Sequence, residues 1–234
     1  MNGFSHAFLQ AIELVAAGDP KLVEIVVLSL RVSLVAVLVG CAVGLPLGAL
    51  IAVNRFVGRH TLIVLLNGLL GLPAVVVGLV VYLLLSRAGP LGSWGILFTP
   101  TAMVIAQAIL ITPLVAALSR QVVADAWQEY REQLRSLGET GFGAAGTLLW
   151  DLRFSLLTIV LAGFGRAISE VGAVMIVGGN IDGVTRVMTT TIALETSKGE
   201  LPLALGLGFI LLAIVIVLNA GAFLVKETAQ RRYG

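Results

Sequence analysis

The chain has 234 residues, of which 58% are hydrophobic and only 12% charged, with a mean hydropathy of +1.03. That balance excludes an ordinary soluble domain and fits a polytopic helical membrane protein. The formal net charge of +2 carries no nucleic-acid signal, and the single cysteine, Cys41, excludes a disulfide framework and reads as a small packing residue.

The opening "MNGFSHAFLQAIELVAAGDPK" lacks a basic start and reads as a short amphipathic segment rather than a cleavable signal. A helix needs about 20 mostly apolar residues to cross roughly 30 Å of hydrocarbon. Five stretches meet that length, at about 22–53, 61–86, 97–119, 154–178 and 201–225. No stretch alternates apolar and polar residues for long enough to make a barrel strand. The expected fold is therefore all-α, a polytopic membrane protein with about five transmembrane helices.

In the first span Gly40, Gly44 and Gly48 recur every fourth residue, a stripe that lets two backbones approach closely. We expect that stripe to serve a homodimer. Pro46, Pro73 and Pro113 lie inside predicted spans and should kink them by removing backbone hydrogen bonds. Arg31 can snorkel to an interface. Basic residues gather in the 54–60 turn, the 120–153 connection and the C-terminal segment, which together hold nine Lys and Arg against four in the opposite connections. The positive-inside rule then places the N-terminus outside and the C-terminus in the cytoplasm.

The 120–153 connection is too polar for lipid yet too regular for a loose loop, and reads as two short helices separated by glycine. Val122, Val123, Ala126, Tyr130, Leu134 and Leu137 recur near helical spacing, and Gly138 should end that helix. Such an insert either docks a soluble partner or rests at the membrane interface as an amphipathic helix.

The fourth span carries Arg166 and Glu170, four apart and able to meet on one helix face. Charges within a span face the bundle interior or a watery cavity. The two residues read as an internal ion pair fixing helix register, as a gate or passage lining, or as a protonation relay. Beyond the span, Asn180, Thr185, Arg186, Thr189, Thr190 and Thr191 form an expected outer polar patch. Its hydroxyls and guanidinium suit an oxyanion or a partner's surface, and a solvated loop with helix caps explains them equally well. The chain has no G-x-x-x-x-G-K-[ST] phosphate loop, and no H-E-x-x-H, C-x-x-C or G-x-S-x-G, so no catalytic or metal site is expected.

The stretch "EQLRSLGETGF" resembles the cytoplasmic signature of ATP-binding cassette importer permeases, in which E-A-A is followed by three residues and then Gly. Glu132 and Gly138 match it. Gln133 and Leu134 replace the two alanines, and Trp150-Asp151 stand where the family's Leu-Pro would fall. "SEVGAVMIVGGNIDGVTRVMTTTIALETSKGE" is similar to the corresponding part of tungstate-uptake permeases and, less closely, of molybdate and sulfate permeases. The resemblance covers roughly residues 22 to 225. It implies a type I importer permease fold in a single transmembrane domain over 1–234, with an N-terminal segment 1–21, a core 22–225 and a cytoplasmic tail 226–234. Within the core it implies a coupling segment 122–150, where Glu132, Gln133, Leu134, Gly138, Glu139, Gly141 and Phe142 meet an ATPase. It further implies a homodimer, two cytoplasmic ATPase subunits that bind the ATP and Mg, an extracytoplasmic oxyanion-binding protein, and no cofactor in this chain.

Overall fold

A computed structural model describes the backbone of residues 2–233 and the side chains of 8–221, 223, 224 and 227. In chain order the helices are α1 (Asn2–Ala17), α2 (Pro20–Val53), α3 (Arg59–Leu69), α4 (Ala74–Leu85), α5 (Pro100–Ser136), α6 (Phe142–Asp151), α7 (Arg153–Ile168), α8 (Gly172–Gly178), α9 (Met188–Lys198) and α10 (Leu201–Tyr233), with a single 3₁₀ turn at Gly92–Trp94. Three of them, α2, α5 and α10, are each long and apolar enough to cross a membrane. Counting α3 with α4 and α6 with α7 raises the possible crossings to five.

Local chemistry sets the helix ends. Asp19 Oδ1 accepts from the backbone N–H groups of Lys21 and Leu22 at 2.9 and 3.2 Å, and Pro20 occupies the first helical position, where its missing N–H costs nothing. At the other end of α2, Arg59 Nε donates to the Ile51 carbonyl at 2.7 Å and a terminal guanidinium nitrogen reaches the Ala52 carbonyl at 3.3 Å. A cation on these orphan carbonyls also complements the negative end of the helix dipole. Replacing Arg59 with glutamine should therefore lower stability by about 1–2 kcal/mol, read as an earlier thermal midpoint of the purified protein.

The predicted spans differ from the observed helices in three places. The stretch 61–86 is two helices, because the chain breaks between Leu69 and Ala74, at Pro73. The span at 97–119 and the first helix of the 120–153 connection are one helix, α5, with 37 residues. No Gly or Pro lies between Leu114 and Leu137 to interrupt it, and Val123 and Ala126 continue its buried face. The stretch 154–178 is broken after Ile168 and resumes at Gly172. Pro46 and Pro113 sit inside unbroken helices. The tail predicted at 226–234 continues α10 to Tyr233, while the side chains of Lys226, Arg231 and Arg232 lie outside the described residues.

The chain separates into two compact units, one comprising residues 1–35, 74–107 and 167–218, the other 36–73, 108–166 and 219–234. In the second unit the glycine stripe of α2 is filled by α5 of the same chain. A Cβ on Gly40 would meet the Ile111 side chain, one on Gly44 the Thr112 carbonyl and Val115, and one on Gly48 Ser119 and the Ala116 carbonyl. Ser119 Oγ lies 3.3 Å from the carbonyls of Gly44 and Ala116, so a hydroxyl bridges the two helices where they approach most closely. The stripe thus packs helices within one chain, and the homodimer expectation loses that support. Cys41 is buried, as a packing residue should be. In the first unit α4 meets α8 in the same manner, with Gly78 against Ala173.

Candidate functional site

The 120–153 segment ends α5 and begins α6 around a compact core. Ala49, Ala52 and Val53 of α2, Val123, Ala126 and Leu134 of α5, and Ala144, Ala145 and Leu148 of α6 form one buried cluster. Gly138, with φ +82°, stops α5. Its N–H donates to the Arg135 carbonyl at 3.0 Å and the Glu139 N–H to the Leu134 carbonyl at 2.9 Å, the paired closure of a Schellman motif. The helix break expected at Gly138 is where the chain turns.

Within the expected coupling set, Glu132, Gln133, Gly138 and Phe142 are exposed, and Glu139 and Gly141 are half-buried. Leu134 is buried at 8% exposure and packs in the cluster beneath the segment. Leu137 and Phe142, at 73% and 81% exposure, instead present an apolar pair on either side of the turn. Helical spacing puts Leu137 on the apolar face of α5, but the helix stops at Gly138 and leaves it exposed.

A second constellation lies in the first unit, around Gln107, Ala167, Glu170 and Thr189, where α7 gives way to α8; Arg166, the residue before, falls in the second unit. Arg166 and Glu170 do not share a helix, contrary to the sequence expectation. Helix α7 ends at Ile168, Ser169 turns, and the Glu170 N–H donates to the Ala167 carbonyl at 3.1 Å. Arg166 is half-buried near the end of α7, and Glu170 is buried at 5% exposure in the break. A break at this depth frees backbone groups that only protein can satisfy. Gln107 Nε2 donates to the Ala167 carbonyl at 3.0 Å and Thr189 Oγ1 to the Glu170 carbonyl at 2.8 Å. Glu170 Oε1 accepts from the Ala173 N–H at 3.2 Å, capping α8.

Around these groups lies a cavity of about 10 Å³ bordered by Ser29, Ser33, Gln107, Glu170 and Thr189, into the scale of one water molecule. Gln107 Oε1 is buried there and finds no hydrogen-bond partner among the described residues. The cap gives a discriminating test. Glu170→Gln keeps an acceptor for Ala173 and should lose less stability than Glu170→Ala, for which the lost cap alone is worth about 1–2 kcal/mol. Equal losses would show that the carboxylate charge, and not the cap, is what the fold requires.

The expected outer polar patch is mostly not a surface. Thr185, Thr189, Thr190 and Thr191 are all buried, between 0% and 8% exposed. Thr185 Oγ1 donates to the Gly178 carbonyl at 2.6 Å and accepts from the Ile181 N–H at 2.9 Å. Thr190 Oγ1 lies 2.9 Å from Asn180 Oδ1 and accepts from the Val187 N–H at 3.2 Å. Thr191 Oγ1 donates to the Val187 carbonyl at 2.7 Å. Thr189, Thr190 and Thr191 start a helix, α9, that apolar periodicity could not reveal; the Thr190 and Thr191 hydroxyls serve its first turn, that of Thr185 the preceding loop, and that of Thr189 the Glu170 carbonyl. Asn180 and Arg186 are half-buried, and Arg186 pairs with the exposed Asp182 at 3.0 Å.

No family model matches the chain. Individual relatives do. The tungstate uptake system permease protein TupB of Peptoclostridium acidaminophilum is 40% identical over 97% of this chain and 100% of its own length. A probable anion ABC transporter permease protein of Haloferax volcanii is 42% identical over 94% of this chain and 98% of its own. The chain belongs to the anion ABC transporter permease family. A sulfate transport system permease protein, CysW of Synechocystis, is 28% identical over 99% of the chain. Membership in this family accounts for the apolar helices: the protein is a multi-pass membrane permease.

Proposed function

We propose that this chain is the membrane-spanning permease of an ATP-driven tungstate importer in the cytoplasmic membrane. The observation that carries this reading is the 40% identity to a tungstate uptake permease across nearly the whole of both chains. Two copies would enclose the passage. Two cytoplasmic ATPase subunits would bind the ATP and Mg, since this sequence carries no phosphate loop. A separate extracytoplasmic protein would capture the oxyanion. The excess of Lys and Arg in the 54–60 and 120–153 segments supports an outside N-terminus and a cytoplasmic Gly138 turn.

In this reading the exposed Leu137 and Phe142 enter a groove on the ATPase, and Glu132, Gln133 and Glu139 border that contact. Helix α5 runs without interruption from Pro100 to Ser136, which suits a rigid element that carries nucleotide-driven motion into the membrane. Arg166 and the Glu170 break are proposed as passage or gate elements. Arg186, beside Asp182, would guide docking of the binding protein.

The test is uptake into proteoliposomes holding the permease with its ATPase and binding protein. ATP-dependent tungstate accumulation that survives collapse of the proton gradient is the expected result. Dependence on the gradient instead would make the chain a secondary transporter. The sulfate permease relative, matched over 99% of this chain, favours sulfate as the second cargo to assay, with molybdate beside it.

A further inference from the structure

We propose that the end of the second unit, where α2 runs out against α5, binds the phosphate of an anionic lipid headgroup through Arg55 and Arg131. Two cavities lie there, of about 420 and 410 Å³, and Val53, Arg55, Trp127 and Arg131 line both. Arg135 adds to the first and Arg59 to the second. Trp127, Arg131 and Arg135 follow one another at intervals of four on α5, so they share one helix face.

The arginines are not equivalent. Arg59 is committed to the Ile51 and Ala52 carbonyls, and Arg135 lies over the Trp127 ring, 5.8 Å from its centroid. Arg55 and Arg131 make no ion pair or hydrogen bond among the described residues. Both are exposed, each offers a planar fork of donors matched to a phosphate, and Glu132 is the one carboxylate lining either cavity.

Three features select a lipid over a free oxyanion. The site sits at the end of a 34-residue apolar helix, which is longer than the roughly 20 residues that cross the hydrocarbon and so carries its end past the apolar layer. Phe56 and Val57 follow Arg55 directly and are 46% and 103% exposed, an apolar pair flanked by cations at Arg55 and Arg59. Apolar side chains beside guanidinium groups match a phosphate joined to acyl chains, and an inorganic dianion would have no use for them. Trp127 brings an amphipathic ring, of the kind that suits an interface, to both cavities. The inference holds whichever anion the permease carries.

The experiment is native mass spectrometry of the purified full-length protein after exposure to equimolar phosphatidylglycerol and phosphatidylcholine. Wild type should retain phosphatidylglycerol preferentially. Each cation near an anionic headgroup is worth about a fivefold preference, so R55Q/R131Q should lower retention roughly 25-fold. R55K/R131K keeps the charge but not the fork and should fall between the two, which preserves the test if the glutamine pair does not fold. Equal retention of the two lipids by wild type would overturn the proposal. So would displacement of phosphatidylglycerol by millimolar inorganic phosphate or tungstate, which would make this a free-oxyanion site. Unchanged lipid retention in R55Q/R131Q together with lost ATPase binding would overturn it as well, in favour of a protein partner's carboxylates.

Discussion

Replacing Gly48 with alanine should cost about 3 kcal/mol or more and leave little of the permease monodisperse after extraction, whereas Gly40→Ala should cost about 1 kcal/mol. Both glycines belong to one stripe, yet α5 presents them with different neighbours. A Cβ on Gly40 would press on Ile111 Cγ2 at 2.8 Å and Cβ at 3.2 Å, a side chain that can rotate or be trimmed. On Gly48 it would overlap Ser119 Oγ and the Ala116 carbonyl and come within 2.8 Å of the Arg120 nitrogen. Two of those three are backbone atoms, which can yield only if one helix moves away from the other.

Second-site changes separate the cases. Gly40→Ala combined with Ile111→Ala should be less damaging than the sum of the single losses, because the second change removes the atom the first one meets. Ser119→Ala should not rescue Gly48→Ala, since the backbone contacts remain, and it would also remove the hydroxyl that lies 3.3 Å from the Gly44 carbonyl. Thermal midpoints in detergent, with the monodisperse fraction after extraction, measure the order. A Gly48→Ala protein as stable as wild type would mean that α2 and α5 are not in close contact.

The same stripe shows what a sequence can and cannot reveal. Small residues every fourth position announced a close helix approach, and that much was legible; which helix approaches was not, because a groove of glycines looks the same whether the ridge comes from a copy or from the same chain. The hydrophobic spans were visible because membrane length imposes them. Their interruptions were harder. Pro73 marked one break, but the break at Ser169–Val171 carries no proline, and it persists because Gln107 and Thr189, distant in sequence, satisfy the freed carbonyls of Ala167 and Glu170. Arg166 and Glu170 stand four apart in sequence, yet α7 ends between them at Ile168, because spacing counts residues and cannot see a turn. The threonines of α9 looked like an exposed patch because hydroxyls are ambiguous between solvent and local capping, and only their burial decides.

The turn between α5 and α6 should be most sensitive at Gly141, not at Gly138, although only Gly138 completes the family signature. Gly138 adopts φ +82° with no atom within 4 Å of its would-be Cβ, a left-handed position that asparagine tolerates. Gly141 has φ 53° and ψ −113°, a combination that glycine alone adopts readily. Its would-be Cβ meets only Asn54 Oδ1, at an ordinary 3.5 Å, so the cost of a side chain there is conformational rather than steric. About 1–3 kcal/mol of backbone strain is expected for Gly141→Ala or Gly141→Asn, against about 1 kcal/mol for Gly138→Ala and less for Gly138→Asn. The Gly141 carbonyl accepts from the Ala145 N–H at 3.1 Å, so relief of that strain must shift the first turn of α6 and with it the exposed Phe142. A displacement worth about 2 kcal/mol reduces the docking-competent arrangement roughly thirtyfold. In proteoliposomes Gly141→Asn should therefore uncouple ATP hydrolysis from tungstate uptake, while Gly138→Asn should stay within a few fold of wild type. Equal uncoupling at the two glycines would place the contact at Gly138 itself, because strain confined to Gly141 could not produce it.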